Sequence, residues 1–522
     1  MMNDVEQLAR QFFQQRNWPK ILETCRASGY RQGLSKEVDF YAGVALFHLG
    51  EIDQAQALFT GILGVDATNH EAGIFLARCH LSKLENHLAY RLAVAHSHGV
   101  SDPYYLDMAA TILSHVGMPE LALPLLESAR KLDPVSANAL SNEATCHLHL
   151  GNLDRARNLF HELLTREPDN QRAYWQMAKI TRAKDESLID AMKENIQKRK
   201  LTEAHAIFFN FAIGKQYEDL GKWEQSFSHY SLAAGAVREH LNYNVEDDIR
   251  TIDEIIAQSA KEELGAPPPT ALSTPGTPEP LFITGLPRSG TSLVDQIVTA
   301  HSQVRSAGEL QAVEYAIRKT AGTHPLAPIS ANEFSEALAK RDKFRDSYNE
   351  ATEFLRGQEP WLVDKMPHNY LYLGLLAKAF PHAKLVLVRR SPLASCFAMY
   401  KQLFASKYQF SYSLQDLGKY YQAYSRLIDH WREKLGSRLV EVCYEDLVST
   451  PEPQIRALLE NLGLPFEAEC LRPQEQKRNV MTASSHQVRE KIYTSSIDRH
   501  ENFSHQLSTL KEFFKQHRIN TQ

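Results

Sequence analysis

The chain has 522 residues, more than one hydrophobic core usually holds, so two or more domains are expected. Its composition is that of a globular protein, 43% apolar and 23% charged, with a formal net charge of -5. This balance excludes a chain-wide attraction to nucleic acid or to an anionic membrane, so any anion site has to be local. No run of 18 apolar residues is present to span a membrane. The opening MMNDVEQLARQFFQQRNW lacks the basic segment, apolar core and cleavage site of a leader peptide, and a cytoplasmic protein is expected. Six scattered cysteines without CxxC read as reduced thiols, and the 22 histidines include no HExxH, so no metal is expected.

The first 240 residues repeat themselves. FHLGEIDQAQALF around Gly50, SHVGMPELALPLL around Gly117, HLHLGNLDRARNLF around Gly151 and YEDLGKWEQSFSHY around Gly221 share one pattern. Gly117 and Gly151 are 34 residues apart, and the other spacings, 67 and 70, are close to twice that. Five positions after each glycine stands a small residue (Ala55, Ala122, Ala156, Ser226), and nine after it a bulky one (Phe59, Leu126, Phe160, Tyr230). Pro134 and Pro168 follow 17 after two of the glycines. The glycine opens a turn between two helices, the small residue lets the helices approach, and the proline ends the second helix. The pattern resembles tetratricopeptide repeats, which implies helix pairs stacked as a solenoid. Residues 1–37 and 172–203 fit the pattern poorly and read as degenerate or capping repeats.

Gly265 to Pro280 holds six prolines in sixteen residues and reads as an extended linker. Beyond it, short β-rich runs (Pro280–Gly285, Lys384–Arg390, Arg438–Tyr444) alternate with helical stretches such as Ser292–His301 and Asp416–Leu435. That alternation predicts a parallel sheet in an α/β fold. The expected domains are 1–262 (repeats), 263–280 (linker) and 281–522 (catalytic).

The first of these strands runs into Gly285-Leu-Pro-Arg-Ser-Gly-Thr-Ser292 and then a helix. Its G-x4-G spacing suits an anion at a helix N-terminus, where backbone N–H groups and the helix dipole converge. Thr291 stands where a nucleoside triphosphatase carries its lysine, which argues against kinase or ATPase chemistry. Arg288, inside the loop, can reach both a bound phosphate and a group being transferred. An exposed arginine on a strand–turn–helix corner is the plain alternative.

PRSGTS, followed by a helix and RSAGEL, is similar to the phosphosulfate-binding motif of sulfotransferases. The likeness runs over roughly Pro280–Tyr493. It is strongest to the tyrosylprotein sulfotransferases and to bacterial tetratricopeptide-repeat sulfotransferases. The resemblance implies a P-loop-type parallel-sheet domain that uses the donor 3'-phosphoadenosine 5'-phosphosulfate (PAPS). It assigns Arg288, Ser289, Gly290, Thr291 and Ser292 to the donor. Glu309 becomes the catalytic base and Lys365, in VDKMPHNY, the cation near the leaving oxygen. Arg390 would hold the 3'-phosphate, with Arg389 beside it leaving that choice open by one residue. Tyr444, in CYEDL, would lie by the adenosine. In TASSHQVREKIYTSSIDRHENF, Ser484 would support the transition state, and Arg489, Lys491 and Arg499 would supply charge to the phosphates. Ala394 and Ala398 depart from the family pattern, which has an aspartate and a serine there; Ser391 or Ser395 could replace the missing hydroxyl. A surface glutamate, a solvated lysine, a core tyrosine and a basic surface loop are the bland alternatives for these positions.

The reading is therefore a PAPS-dependent sulfotransferase acting on a hydroxyl, with tyrosine in a peptide or protein as the acceptor the resemblance suggests. The repeat domain would hold that acceptor; a saccharide or small molecule, and a homodimer, stay open. The alternatives are a non-catalytic repeat scaffold with a degenerate nucleotide-binding domain, and a P-loop kinase. Because every nucleotide motif lies beyond the linker, a chain starting near Pro280 is expected to keep nucleotide binding.

Overall fold

In a computed structural model of the chain, residues 2–27, 33, 35–264, 277–323, 328–404, 407–475 and 491–520 are described. They group into two compact units. One holds residues up to Cys146 with Asn349–Phe354, and the other holds His147–Thr323, Pro328–Tyr348 and Leu355 onward.

The first unit is helical. Helix pairs run Lys36–His48 with Ile52–Val65, His70–Ser82 with Asn86–Ser97, and Pro103–His115 with Pro119–Leu132. The side chains of Asn69 and Asp102 accept hydrogen bonds from Ala72 N–H and Tyr104 N–H and so cap two of these helices. Gly50 and Gly117 turn with φ of +85° and +88°, as do Gly151 and Gly221 in the other unit with +81° and +71°. Ala55, Ala122, Ala156 and Ser226 are fully buried against their partner helices. Gly43 explains part of this packing, since a Cβ there would stand 2.9 Å from the Phe59 ring. The sequence pattern passed over the pair His70–Ser82 and Asn86–Ser97 because Leu84, not glycine, makes its turn, at φ +62°. Ala89, five positions later, is buried as the rule requires, while the ninth position carries the small Ala93 instead of a bulky residue.

The second unit adds the helices Gln171–Ile180 and Ser187–Arg199, the pair Ile207–Asp219 with Trp223–His240, and a helix Val245–Ser259. Residues 172–203, a poor match to the repeat pattern, thus hold two helices that both pack on Ile207–Asp219 and not on each other as a repeat pair does. Five parallel strands follow: β1 (Glu279–Thr284), β2 (Val304–Ser306), β3 (Trp361–Asp364), β4 (Lys384–Arg389) and β5 (Leu439–Cys443). Their order is β2-β3-β1-β4-β5, with Leu281 level with Val363 on one side and Lys384 on the other. Leu281, Ile283, Val363, Val386 and Val388 are buried in a core shared with the loop helix Thr291–Thr299, as both faces of a parallel sheet require. Strands β2 and β3 went unpredicted; both are too short to show a period.

Within this unit the last helices before the sheet pack against the helix Leu414–Leu435 and the segment around Phe503. Arg238, Glu246 and Asp253 pair with Asp416, Lys419 and Arg426 of the helix Leu414–Leu435, at 2.9, 2.7 and 2.7 Å. Ser259 Oγ meets His430 Nε2 at 2.9 Å, and the rings of Trp223 and Phe227 contact Phe503.

Candidate functional site

The residues singled out from the sequence collect at one edge of the sheet. Arg288 comes four residues after β1, Glu309 three after β2, Lys365 one after β3, Arg390 one after β4 and Tyr444 one after β5. All five strands are parallel, so these positions share the C-terminal edge, with β1 at the point where the strand order turns from one side to the other. Arg288, Glu309, Arg390 and Tyr444 line one cavity of about 360 Å³.

The loop after β1 is tightly specified. Gly290 caps the helix Thr291–Thr299 with φ +106°, and a Cβ there would lie 2.4 Å from the Tyr444 ring. A Cβ on Gly285 would strike the Val388 carbonyl at 2.4 Å. Arg288 itself takes φ +69°, a left-handed conformation that costs a non-glycine residue energy and is common where a loop is shaped for a ligand. Thr291 and Ser292 are buried in the first turn. Ser289 is also buried, and its Oγ has no hydrogen-bond partner among the described residues.

Arg390, not Arg389, faces the cavity. Arg389 pairs with Glu441 at 2.7 Å on the outside of the strand. The Arg390 guanidinium donates to the carbonyls of Arg288 (3.1 Å) and Ser496 (2.5 Å) and lies 4.8 Å from the centre of the Tyr444 ring. Its Nε is buried without a partner among the described residues. Burial lowers the pKa of Arg288, and the nearby charge of Arg390 lowers it further; burial likewise lowers Arg390. A bound anion relieves both costs. Ala394 and Ala398 present methyl groups to the cavity. Ser395, one of the candidate substitutes, donates instead to the Arg390 carbonyl at 3.4 Å. Ser496, which the sequence reading did not single out, lines the cavity and shares a 2.6 Å hydrogen bond with the Tyr444 hydroxyl.

On the other side, the fully buried Lys365 donates to Glu309 Oε1, and its own N–H bonds the Gly308 carbonyl at 2.9 Å. The neighbouring Asp364 is buried, and burial pushes its carboxyl up to about 8 against the hydrogen bond from Tyr348 and the charge of Lys365. Phe404 and Tyr408, with ring centres 5.0 Å apart, form an aromatic wall of the same cavity.

Of the C-terminal block, Ser484 and Arg489 lie outside the described residues. Lys491 is exposed on the cavity rim. Arg499 also lines the cavity, and its Nε is engaged with a carboxylate of this chain, Glu218, at 2.7 Å. Lys401, another lining residue, was missed; it sits just past a buried apolar helix, with no motif to mark it. Among the described residues no three His, Cys, Asp or Glu are grouped to hold a metal, and no helix is long and apolar enough to cross a membrane.

The sulfotransferase family matches residues 280–468, a span that includes the loop, Glu309, Lys365, Arg390 and Tyr444. The matched span is about a third of the chain. Ahead of that span, residues 115–180 match the tetratricopeptide repeat. An uncharacterized protein of Aquifex aeolicus is 28% identical over 430 residues, covering 79% of this chain and 55% of its own. Protein-tyrosine sulfotransferase 1 of Danio rerio is 29% identical over 206 residues, covering 37% of this chain and 56% of its own. The chain thus spans about half the length of the relatives it matches. Among solved structures, the sulfotransferase domain from the curacin biosynthetic pathway is 19% identical, covers 44% of this chain and 98% of its own, and has a TM-score of 0.31.

Proposed function

We propose that the chain transfers a sulfuryl group from PAPS to a hydroxyl, with tyrosine in a peptide or protein as the acceptor. The observation that carries the reading is the cavity at the strand ends. Two half-buried arginines, Arg288 and Arg390, line one space, and beside them Ser289 Oγ and Arg390 Nε are buried without partners among the described residues. Such groups call for an anion with more than one charged centre. The donor supplies an activated sulfuryl group on an adenosine bisphosphate. Arg288, with the first-turn amides of Gly290, Thr291 and Ser292, would hold its 5'-phosphosulfate, Arg390 its 3'-phosphate, and Tyr444 its adenosine side. Ser484, Arg489, Lys491 and Arg499 would complete the charge around it.

Glu309 is the base in this reading. One of its oxygens is held by Lys365, which fixes the carboxylate and leaves the other for the acceptor proton. Lys365 would also stabilise negative charge as it grows on the leaving oxygen. The wall of Phe404 and Tyr408 suits a flat aromatic acceptor. The printed names of several relatives, protein-tyrosine sulfotransferases, support tyrosine. We also propose the domain limits 1–262, 263–280 and 281–522, with the repeats helping to hold the acceptor. Calorimetry with 3',5'-ADP against magnesium-ATP tests the donor. Binding of 3',5'-ADP is expected, and tighter binding of magnesium-ATP would remove the sulfotransferase reading. Transfer of labelled sulfate from PAPS to a tyrosine peptide, and not to its phenylalanine counterpart, tests the acceptor.

A further inference from the structure

A carboxylate from the repeat region sits at the centre of the cations around this site. Glu218, in the last turn of the repeat helix Ile207–Asp219, is 4% exposed. Its Oε1 accepts from Lys401 Nζ at 2.6 Å and from Arg499 Nε at 2.7 Å, and its Oε2 from the Tyr230 hydroxyl at 2.9 Å. Both cations line the candidate donor cavity. Together with Arg288 they also line a second cavity, of about 1100 Å³, that the same repeat helix helps to wall. Burying a carboxylate is costly unless it is paired, and one that takes three hydrogen bonds fixes its partners firmly. Lysine and arginine side chains held this way have already lost the freedom that binding a ligand would otherwise take from them.

We infer that Glu218 is a positioning residue of the donor site that acts through Lys401 and Arg499, which makes the repeat helix part of the nucleotide-binding machinery. The inference rests on the reading that this cavity takes an adenosine bisphosphate. The charges around Lys401 give it a distinct signature. Burial lowers the Lys401 pKa to about 8; Glu218 opposes that shift, while Arg499 and Arg288 add to it. Burial works against the charge on Glu218, but Lys401 and Arg499 hold its carboxyl below the ordinary value. Tyr230 bonds the same carboxylate, and Asp219, paired with Lys215, stands 3.8 Å from Arg499. Lys401 is therefore charged below about pH 8 and loses its charge above it. Without the Glu218 carboxylate that loss moves to lower pH.

The test is binding of 3',5'-ADP by the full chain from pH 6 to 9. The wild type is expected to bind, with affinity falling above pH 8. Glu218→Gln should bind about tenfold more weakly at pH 7, with its fall displaced to lower pH. Lys401→Gln should lose the fall, and adding Glu218→Gln to it should cost less than Glu218→Gln costs alone. Failure of the wild type to bind would remove the donor reading itself. Wild-type binding with an unchanged affinity and pH profile in Glu218→Gln would overturn this inference while leaving the donor reading intact. If Glu218→Gln does not fold, Lys401→Gln decides. An unaltered affinity and pH profile in that variant would overturn the inference, because Glu218 would then have no Lys401 effect to act through.

Discussion

Two pairs of cations line the same cavity, and they are held in different ways. Arg288 and Arg390 sit just past the ends of β1 and β4, and the Arg390 guanidinium meets the backbone carbonyls of Arg288 and Ser496 and the face of the Tyr444 ring. Lys401 and Arg499 share the carboxylate of Glu218, which comes from a repeat helix far away in sequence. Arg390 keeps one guanidinium nitrogen, Nε, without a partner among the described residues. Lys401 and Arg499 face the cavity with a carboxylate of the protein already holding them in place. The difference teaches that charge at a site and charge available to a ligand are separate quantities. Only the partners of each side chain distinguish them.

The largest expected effect comes from removing the second arrangement entirely. A chain beginning near Pro280 lacks Glu218 and the partners of Asp416, Lys419 and Arg426. The sequence alone predicted that it would keep nucleotide binding, and the packing leads to the opposite expectation. Such a chain should show no cooperative melt and no binding of 3',5'-ADP by calorimetry. A soluble fragment with full affinity would mean that the two arrangements are independent.

Glu309→Gln tests the acceptor side while leaving both cation pairs in place. Turnover should fall by about 10²–10⁴ with 3',5'-ADP affinity unchanged. An equal loss in turnover and nucleotide affinity would mean that Glu309 organises the donor site instead of taking the acceptor proton.

Arg390→Ala compares the pairs directly. Losing a charged hydrogen-bonding group should weaken 3',5'-ADP binding by about 10- to 100-fold, with little dependence on pH between 6 and 9 because a guanidinium does not titrate there. Lys401→Gln should lose less at pH 7 and nothing further above pH 8. A similar loss in both variants at pH 9 would erase the distinction between the pairs.

The smallest effect concerns the frame that holds the first pair. Gly290→Ala introduces a Cβ at φ +106° and 2.4 Å from the Tyr444 ring. It should destabilise the fold by about 1–3 kcal/mol, read as a lowered Tm, and should weaken nucleotide binding with it. An unchanged Tm would show that Tyr444 can move aside at little cost.

The sequence by itself determined the features that depend on neighbours along the chain. A 34-residue period, glycines followed by a small residue at a set distance, and a glycine-bounded loop between a strand and a helix are all written within a few turns of one another. They identified the helix pairs, the parallel sheet and the loop of Arg288, because backbone conformation and helix contact at those points depend on one or two residues each. The signal failed where a neighbour in space substitutes for one in sequence. Leu84 makes a turn that glycine makes elsewhere, at φ +62°, and the helices on either side of it still pack through the buried Ala89. The choice between Arg389 and Arg390 depended on which face of β4 meets Glu441. Lys401 carries no mark in its own segment, and Glu218 looks like an ordinary acidic residue at the end of a repeat helix. Only the tertiary structure brings them to within 2.6 Å across 183 positions of chain. A buried charge takes its partner from whatever the fold places beside it, and that partner need not leave any pattern in the local sequence.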